Sequence, residues 1–328
     1  MFKKFWKTIK YLFILIVILY AMPRSILPTN TFGSELKELD RYIKLNDIEN
    51  RLIEYRDDTE ALKLKLAQVD IINNSRKRYK AQPVKLDILA SRVANKMCKE
   101  AAENDFIGHW NLAGEKPYHR YAFAGGSDHV SENAFGEWTT GSYSVSPSTI
   151  ASMMKKGHSE FMAEKAPNDG HKKTIIEKYH NFVGLGYYLS SNQFRYYEEF
   201  IDRYLEFENI RAEVKVGQST VISVKPISNS YLYYLIVYRE KVPEPMSPSQ
   251  IKRMASYADF TKEEYLKLTA WELSEFKSGD SYNIPLMFSK EGLYYIHIYL
   301  DNKEFTKPAS LNTKGKKSAS GIVITVDN

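Results

Sequence analysis

Gly108-His109-Trp110-Asn111, followed by Ser131-Glu132-Asn133, Phe161-Met162-Ala163-Glu164 and Gly170-His171, is the stretch on which the reading of this chain turns. It places two imidazoles and two carboxylates between residues 109 and 171. Two neutral imidazoles on facing segments can bind one divalent metal ion, and carboxylates beside them can accept the second ring N–H or ligate directly. Zinc suits such a set, and with only two protein nitrogens the site would stay open. In a closed pocket the same groups would instead satisfy one another's hydrogen bonds, which burial requires in any case. The spacing leaves both readings open.

Working outward, Leu86, Leu89, Val93, Met97 and Ala101 recur at helical spacing and predict a helix over Leu86 to Glu103. Cys98, the only cysteine, lies next to that face, so it is read as a buried, inert thiol; no intramolecular disulfide can form. Upstream, Glu35 to about Val69 is charged and helix-favouring, Asn73 to Gln82 is polar and basic, and Pro83 closes it. Downstream of His109, the chain is rich in Gly, Tyr and Ser without clear periodicity up to Val145. Ser146-Pro147 then opens a helix, Ser as N-cap and Pro at its first position, running to Gly157 with a short helical turn after it. The Pro167-Asn168-Asp169-Gly170 turn delivers His171. Phe182 to Leu189 and Phe194 to Leu205 read as a hairpin in which Gly184 and Gly186 share one face, where a helix or backbone can approach closely.

Together these features give residues 60–207 a resemblance to the CAP superfamily, the cysteine-rich secretory, antigen 5 and pathogenesis-related 1 (SCP-like) proteins. The resemblance rests on Asn74 and Arg76 in an N-terminal helix, Phe106 and His109 after the next helix, Ser131-Glu132-Asn133 where the family has Gly-Glu-Asn, Gly170-His171, and the hairpin with Val183-Gly184-Leu185-Gly186. It implies a three-layer α-β-α sandwich and a cleft lined by His109, Glu132, Glu164 and His171, with Glu160 the alternative to Glu164 and with His109 and His171 as the metal residues. Asn111, Tyr118 and Arg120 resemble the loop that shapes the pocket floor. The disulfides of animal and plant members are absent and Gly170-His171-Lys172-Lys173 departs from their signature, which points to a bacterial, cysteine-poor branch.

From about Phe207 short strand-like segments, among them Leu232 to Val237 and Ile322/Ile324/Val326, predict a β-sandwich of immunoglobulin-like type over 208–328. A helical insertion is expected over 247–276, with a capping-box pattern at Thr261-Lys262-Glu263-Glu264. His297 alternates with Ile296 and Ile298 and is expected to point out of the sandwich; His119, His129 and His158 are expected on loops or the surface, with a place lining the cleft as the alternative, and His180 just before a strand. At the N-terminus, a basic start and the apolar run Tyr11 to Met22 match a secretory signal or an uncleaved anchor better than a membrane span of about 20 residues. Residues 23–59 read as a linker and helical segment.

The net charge of +6 is spread along the chain without an arginine-rich stripe carrying aromatics, so nucleic-acid binding is not expected. An exported protein, secreted, periplasmic or anchored to the membrane by its N-terminal segment, is the expectation, binding a small-molecule, lipid or cell-wall ligand in a His/Glu cleft without catalysis. A metal-dependent hydrolase with Glu132 or Glu164 as general base is the alternative, and a structural or adhesive envelope protein a third. No Gly-x-Ser-x-Gly elbow supports a covalent hydrolase.

Overall fold

In the computed structural model, which describes residues 31–208, 210–254, 256–257 and 263–328, the two long helices that begin at residues 59 and 88 each open on an aspartate that caps them. The segment 1–22 expected as signal or anchor, the first part of the linker, and Thr261 and Lys262 of the expected capping box lie outside the described residues. Among the described residues no helix is long and apolar enough to cross a membrane. Contacts divide the chain into residues 1–44 and 45–328. The first unit contributes most of helix α1 (Thr31–Ile48); all that follows concerns the second.

Helix α2 (Thr59–Arg78) starts at Asp58, whose carboxylate accepts the Ala61 N–H at 2.7 Å. Helix α3 (Ile88–Glu103) starts at Asp87 in the same way, on the Ala90 N–H. Leu86, expected in that helix, instead belongs to β1 (Lys85–Leu86). The region without periodicity contains helix α4 (Pro117–Phe123) and strand β2 (His129–Trp138), whose first residues are buried on both faces and so show no alternation. Helix α5 (Pro147–Ala163) opens on Ser146, whose Oγ accepts the Thr149 N–H at 3.2 Å. It runs through Gly157 rather than stopping there. A Cβ at Gly157 would lie 2.8 Å from the Phe135 ring, so this glycine serves packing and not termination. Helix α6 (Gly170–Ile176) and strands β3 (Phe182–Leu189) and β4 (Gln193–Asp202) complete this half.

The four strands run in the order β1-β3-β4-β2, which leaves β2 at an edge. Side chains alternate across the sheet. Gly184 and Gly186 face α3, where a Cβ would come within 2.4 Å of Ala90 and 2.2 Å of the Ala94 carbonyl carbon. Tyr196 and Glu198, on the other face of β4, meet Gly157 and His158 of α5. Helices therefore cover both faces. Cys98 is fully buried, and that burial pushes its thiol pKa well up, away from reactive thiolate. Arg76, read as part of a polar run, is also fully buried: its guanidinium donates to the carbonyls of Gln82, Ile175 and His180. A stranded guanidinium would be costly, and the three carbonyls at the ends of neighbouring segments compensate it.

The change of character near Phe207 is a change of sheet. Strands β5 (Leu205–Glu208), β7 (Ser219–Pro226), β11 (Ser281–Met287) and β10 (Lys277–Ser278) form one sheet. Strands β6 (Glu213–Lys215), β14 (Ile322–Asp327), β12 (Gly292–Asp301), β8 (Tyr231–Glu240) and β9 (Glu264–Thr269) form another, with β13 (Lys317–Ser318) paired to β12. Ile222, Val224 and Ile284 of the first share one core with Val237, Ile296, Ile298 and Ile324 of the second. Burying each such side chain contributes about 1.5–3 kcal/mol.

The helical insertion expected over 247–276 is a short helix α7 (Pro248–Ile251), strand β9 and helix α8 (Ala270–Ser274). Pairing with β8 draws Glu264–Thr269 into the sheet, and the capping box that forms is Thr269 with Glu272. The outer face of the larger sheet is not left to solvent. Ile236, Tyr238, Leu293, Tyr295 and Val323 pack with Leu89, Val93, Tyr118, Tyr121 and Val130 in one cluster, which explains why β12 is apolar almost throughout. His297 accordingly leaves the sandwich core but is only 2% exposed, edge-on to His129.

Candidate functional site

Strand β2, with no partner strand on its outer side among the described residues, is the axis of the site. Glu132 points to the α3–α4 side of the sheet and Asn133 to the α5–α6 side, so a cleft at this edge is reached from both faces. The cleft, of ≈ 510 Å³, is lined by His109, Glu132, Asn133, Glu164, His171 and Tyr257 among others. The four residues singled out in the sequence thus lie together. Glu160, the alternative to Glu164, is exposed on α5 and is not among the lining residues.

Each imidazole is met by one carboxylate. His109 Nδ1 lies 2.8 Å from Glu132 Oε1, and His171 Nδ1 lies 2.5 Å from Glu164 Oε1. Glu164 follows the last residue of α5, and its other oxygen accepts the backbone N–H of His171 at 3.0 Å, so the end of one helix sets the start of the next. Phe161 packs against the His171 ring at 4.7 Å. The two imidazole centroids are 6.5 Å apart. With Nδ1 facing a carboxylate, Nε2 is the nitrogen each ring would turn to a metal ion. Among the described residues no group of three or more His, Cys, Asp or Glu side chains is arranged to hold a metal. An ion here would rest on two imidazoles and complete its shell from water or ligand.

Beneath His109 lies a buried charge network. Arg120 donates through Nη2 to Glu132 and, at 3.5 Å, to Glu199, and through Nη1 to the His109 carbonyl at 2.6 Å. Burial raises the Glu132 pKa above its ordinary value, against the opposing pull of Arg120 and of a hydrogen bond from Glu199. Burial, with the Glu132 charge beside it, pushes Glu199 well above the carboxylate range, so Glu199 keeps its proton and Glu132 carries the charge that faces Arg120. On the other face, Ser75 Oγ meets His158 Nε2 at 3.0 Å and His158 Nδ1 meets Glu198 at 2.9 Å; Glu198 in turn accepts from Asn133, which also donates to the His171 carbonyl. This Ser-His-Glu chain is buried and anchors Asn133.

Of the other sequence candidates, Asn111 binds Glu115, Tyr118 donates to Glu240, and Arg120 alone of the three reaches the four-residue cluster. His119, His129 and His158, expected on loops or the surface, are all buried. His129 and His180 share Asp202, at 3.1 and 2.6 Å. Glu198, Glu199 and Tyr257 were not foreseen. The Glu198-Glu199 pair inside an aromatic strand was the available signal, since carboxylates there must be buried against partners; nothing local marks Tyr257.

No protein-family model matches the sequence, and no curated protein matches it. Solved structures do. The chain is similar, over part of its length, to the following three. An extracellular protein containing an SCP domain from Bacillus anthracis matches 42% of this chain and 40% of its own length, at 16% identity and a TM-score of 0.33. An outer surface protein from Borrelia burgdorferi matches over 43% of this chain and 93% of its own, at 17% identity and TM-score 0.34. A cysteine-rich secretory protein of Staphylococcus aureus matches over 42% and 38%, at 15% identity and TM-score 0.27. The chain thus spans about two fifths of the Bacillus and Staphylococcus proteins.

Proposed function

We propose that this chain is an exported ligand-binding protein whose cleft around His109, Glu132, Glu164 and His171 takes a small or envelope-associated ligand together with a divalent metal ion, zinc in particular. The observation that carries this reading is the paired orientation of the imidazoles, each with Nδ1 against its own carboxylate. Such carboxylates fix the tautomer and strengthen the ring as a ligand. Zinc with Zn–N bonds of about 2.0–2.1 Å would bring two tetrahedrally placed ring centroids to about 5 Å, against 6.5 Å here. The donor chemistry fits, and the spacing asks for closure. His171, with its side chain 34% exposed on a short helix, has room to make that movement, whereas the His109 side chain is 13% exposed.

Binding without turnover is favoured over hydrolysis by the state of Glu132. Its two oxygens are engaged by His109 and Arg120, so it orients a ring rather than takes a proton from water. Export rests on the basic start and apolar run of residues 1–22. The helix-covered sheet is read as the three-layer α-β-α arrangement of CAP proteins, and the two C-terminal sheets as an immunoglobulin-like sandwich that spaces or supports the cleft. Zinc titration of the metal-free full chain beside a His109→Ala/His171→Ala double variant tests the metal. Near-stoichiometric binding lost in the double variant is expected; equal binding in both, or none in either, overturns the metal and leaves a metal-free pocket for organic ligands.

A further inference from the structure

An edge strand turns alternate N–H groups away from its sheet, and each needs another partner. In β2 the Glu132 N–H donates to the Tyr257 hydroxyl at 2.8 Å. Tyr257 comes from the C-terminal half, 125 residues away in the chain. Its ring also lies 4.7 Å from the His109 ring, tilted by 52°, and it lines the cleft.

Residues 240–252 run antiparallel to the loop carrying His109, and the two are joined by contacts along their length. Glu240, at the end of β8, accepts from Lys116 at 2.9 Å and from Tyr118 at 2.5 Å. The Glu244 carbonyl sits over Gly114, where a Cβ would come within 2.2 Å of it and where φ is +78°; glycine meets both demands. Met246 N–H donates to the Leu112 carbonyl at 2.8 Å. Ile251 is fully buried with Met97, Cys98, Phe106 and Trp110, and its side chain covers Gly108. Lys252 reaches Asp105 at 2.9 Å. The contacts therefore pair 240 with 116 and 118, 244 with 114, 246 with 112, 251 with 108, and 252 with 105.

We infer that residues 240–254 form a strap in cis that sets the His109 loop, and that Tyr257, beyond it in the chain, is a positioning residue of the cleft, holding the His109 ring and the Glu132 backbone together. The cleft is then a composite: the SCP-like half supplies the His and Glu side chains, and the C-terminal half fixes two of them. This rests on the reading of the cleft as a binding site, and deepens it by making the C-terminal half part of that site.

The test uses the full chain, with Tyr257→Phe removing only the hydroxyl and Tyr257→Ala removing the ring. Exchange of the Glu132 amide, read by NMR, is expected to accelerate about five- to tenfold in Tyr257→Phe while the β2 amides that face β4 keep their rates. Zinc affinity is expected to fall about tenfold in Tyr257→Ala, as for loss of a group that orients a ligand. A general loosening of the fold would move all β2 amides together. Unchanged Glu132 exchange in Tyr257→Phe overturns the strap, whatever zinc does. Accelerated exchange with zinc bound by no form of the protein leaves the strap standing and refutes only the metal. Zinc bound equally by wild type and Tyr257→Ala removes Tyr257 from the positioning role.

Discussion

Replacing Arg120 by alanine removes the guanidinium that pairs with the carboxylates beneath the cleft. Its guanidinium is buried, pairs with Glu132, reaches Glu199, and holds the His109 carbonyl at 2.6 Å. Without it, the Glu132 charge stays buried at 3% exposure beside a second carboxyl group. Breaking a buried pair by removing one partner costs about 3–5 kcal/mol, because the remaining charge is uncompensated. That is a fifth or more of the roughly 5–15 kcal/mol that holds a domain folded. Urea unfolding at pH 7 should show the loss directly. The pH dependence has a definite sign. Glu132 already titrates above its ordinary value of 4.5, and losing Arg120 raises it further. A raised carboxyl pKa contributes stability that is fully present below the unfolded value and is lost as pH rises through the folded one. The deficit of Arg120→Ala should therefore be greatest above the folded-state value and shrink as pH falls toward the unfolded one. Adding Glu132→Gln should recover about half of it or more, since no charge then remains buried. A deficit under about 1 kcal/mol, or one that does not narrow on acidification, would refute the assigned charge state.

Further outcomes come from the packing. Burial alone would raise Asp202, but the His180 charge, with hydrogen bonds from His129 and His180, outweighs it and holds the carboxyl well below its ordinary value of 3.8. That stability is present above the unfolded value and lost as pH falls through the folded one, so Asp202→Asn should cost about 3 kcal/mol at pH 7 and progressively less in acid, measured by urea unfolding at several pH values. Gly186→Ala should push α3 off the sheet at a cost of about 2–3 kcal/mol, read as a Tm drop of roughly 5–10 °C. Gly141→Ala, whose new Cβ would meet nothing closer than the Thr139 hydroxyl at 3.7 Å, should leave Tm unchanged.

Much of the half built on the four-stranded sheet is written in short-range pattern. The apolar face of α3, the Ser146-Pro147 start of α5, and the alternation of Gly184 and Gly186 beneath α3 each depend on neighbours a few residues away, and local chemistry sets them. The order His109, Glu132, Glu164, His171 was equally legible, because each lies in a short motif that its own segment specifies. Glu164 rather than Glu160 was settled by one turn of helix, which only the packing of α5 fixes.

What the sequence by itself determined, then, was which segments become helices and hairpins in the first half, and four of the side chains that line the cleft. The tertiary structure decided the rest. Residues 264–269 became a strand because β8 offered an edge, overriding a helical pattern. His297 became buried because the outer face of its sheet meets α3 and α4. Arg120, Glu199 and Tyr257 joined the cleft from separate segments, and no local preference specifies which distant group answers a buried charge or an edge-strand N–H. That choice is made by burial itself, which leaves each such group a partner only where packing brings one within hydrogen-bond reach.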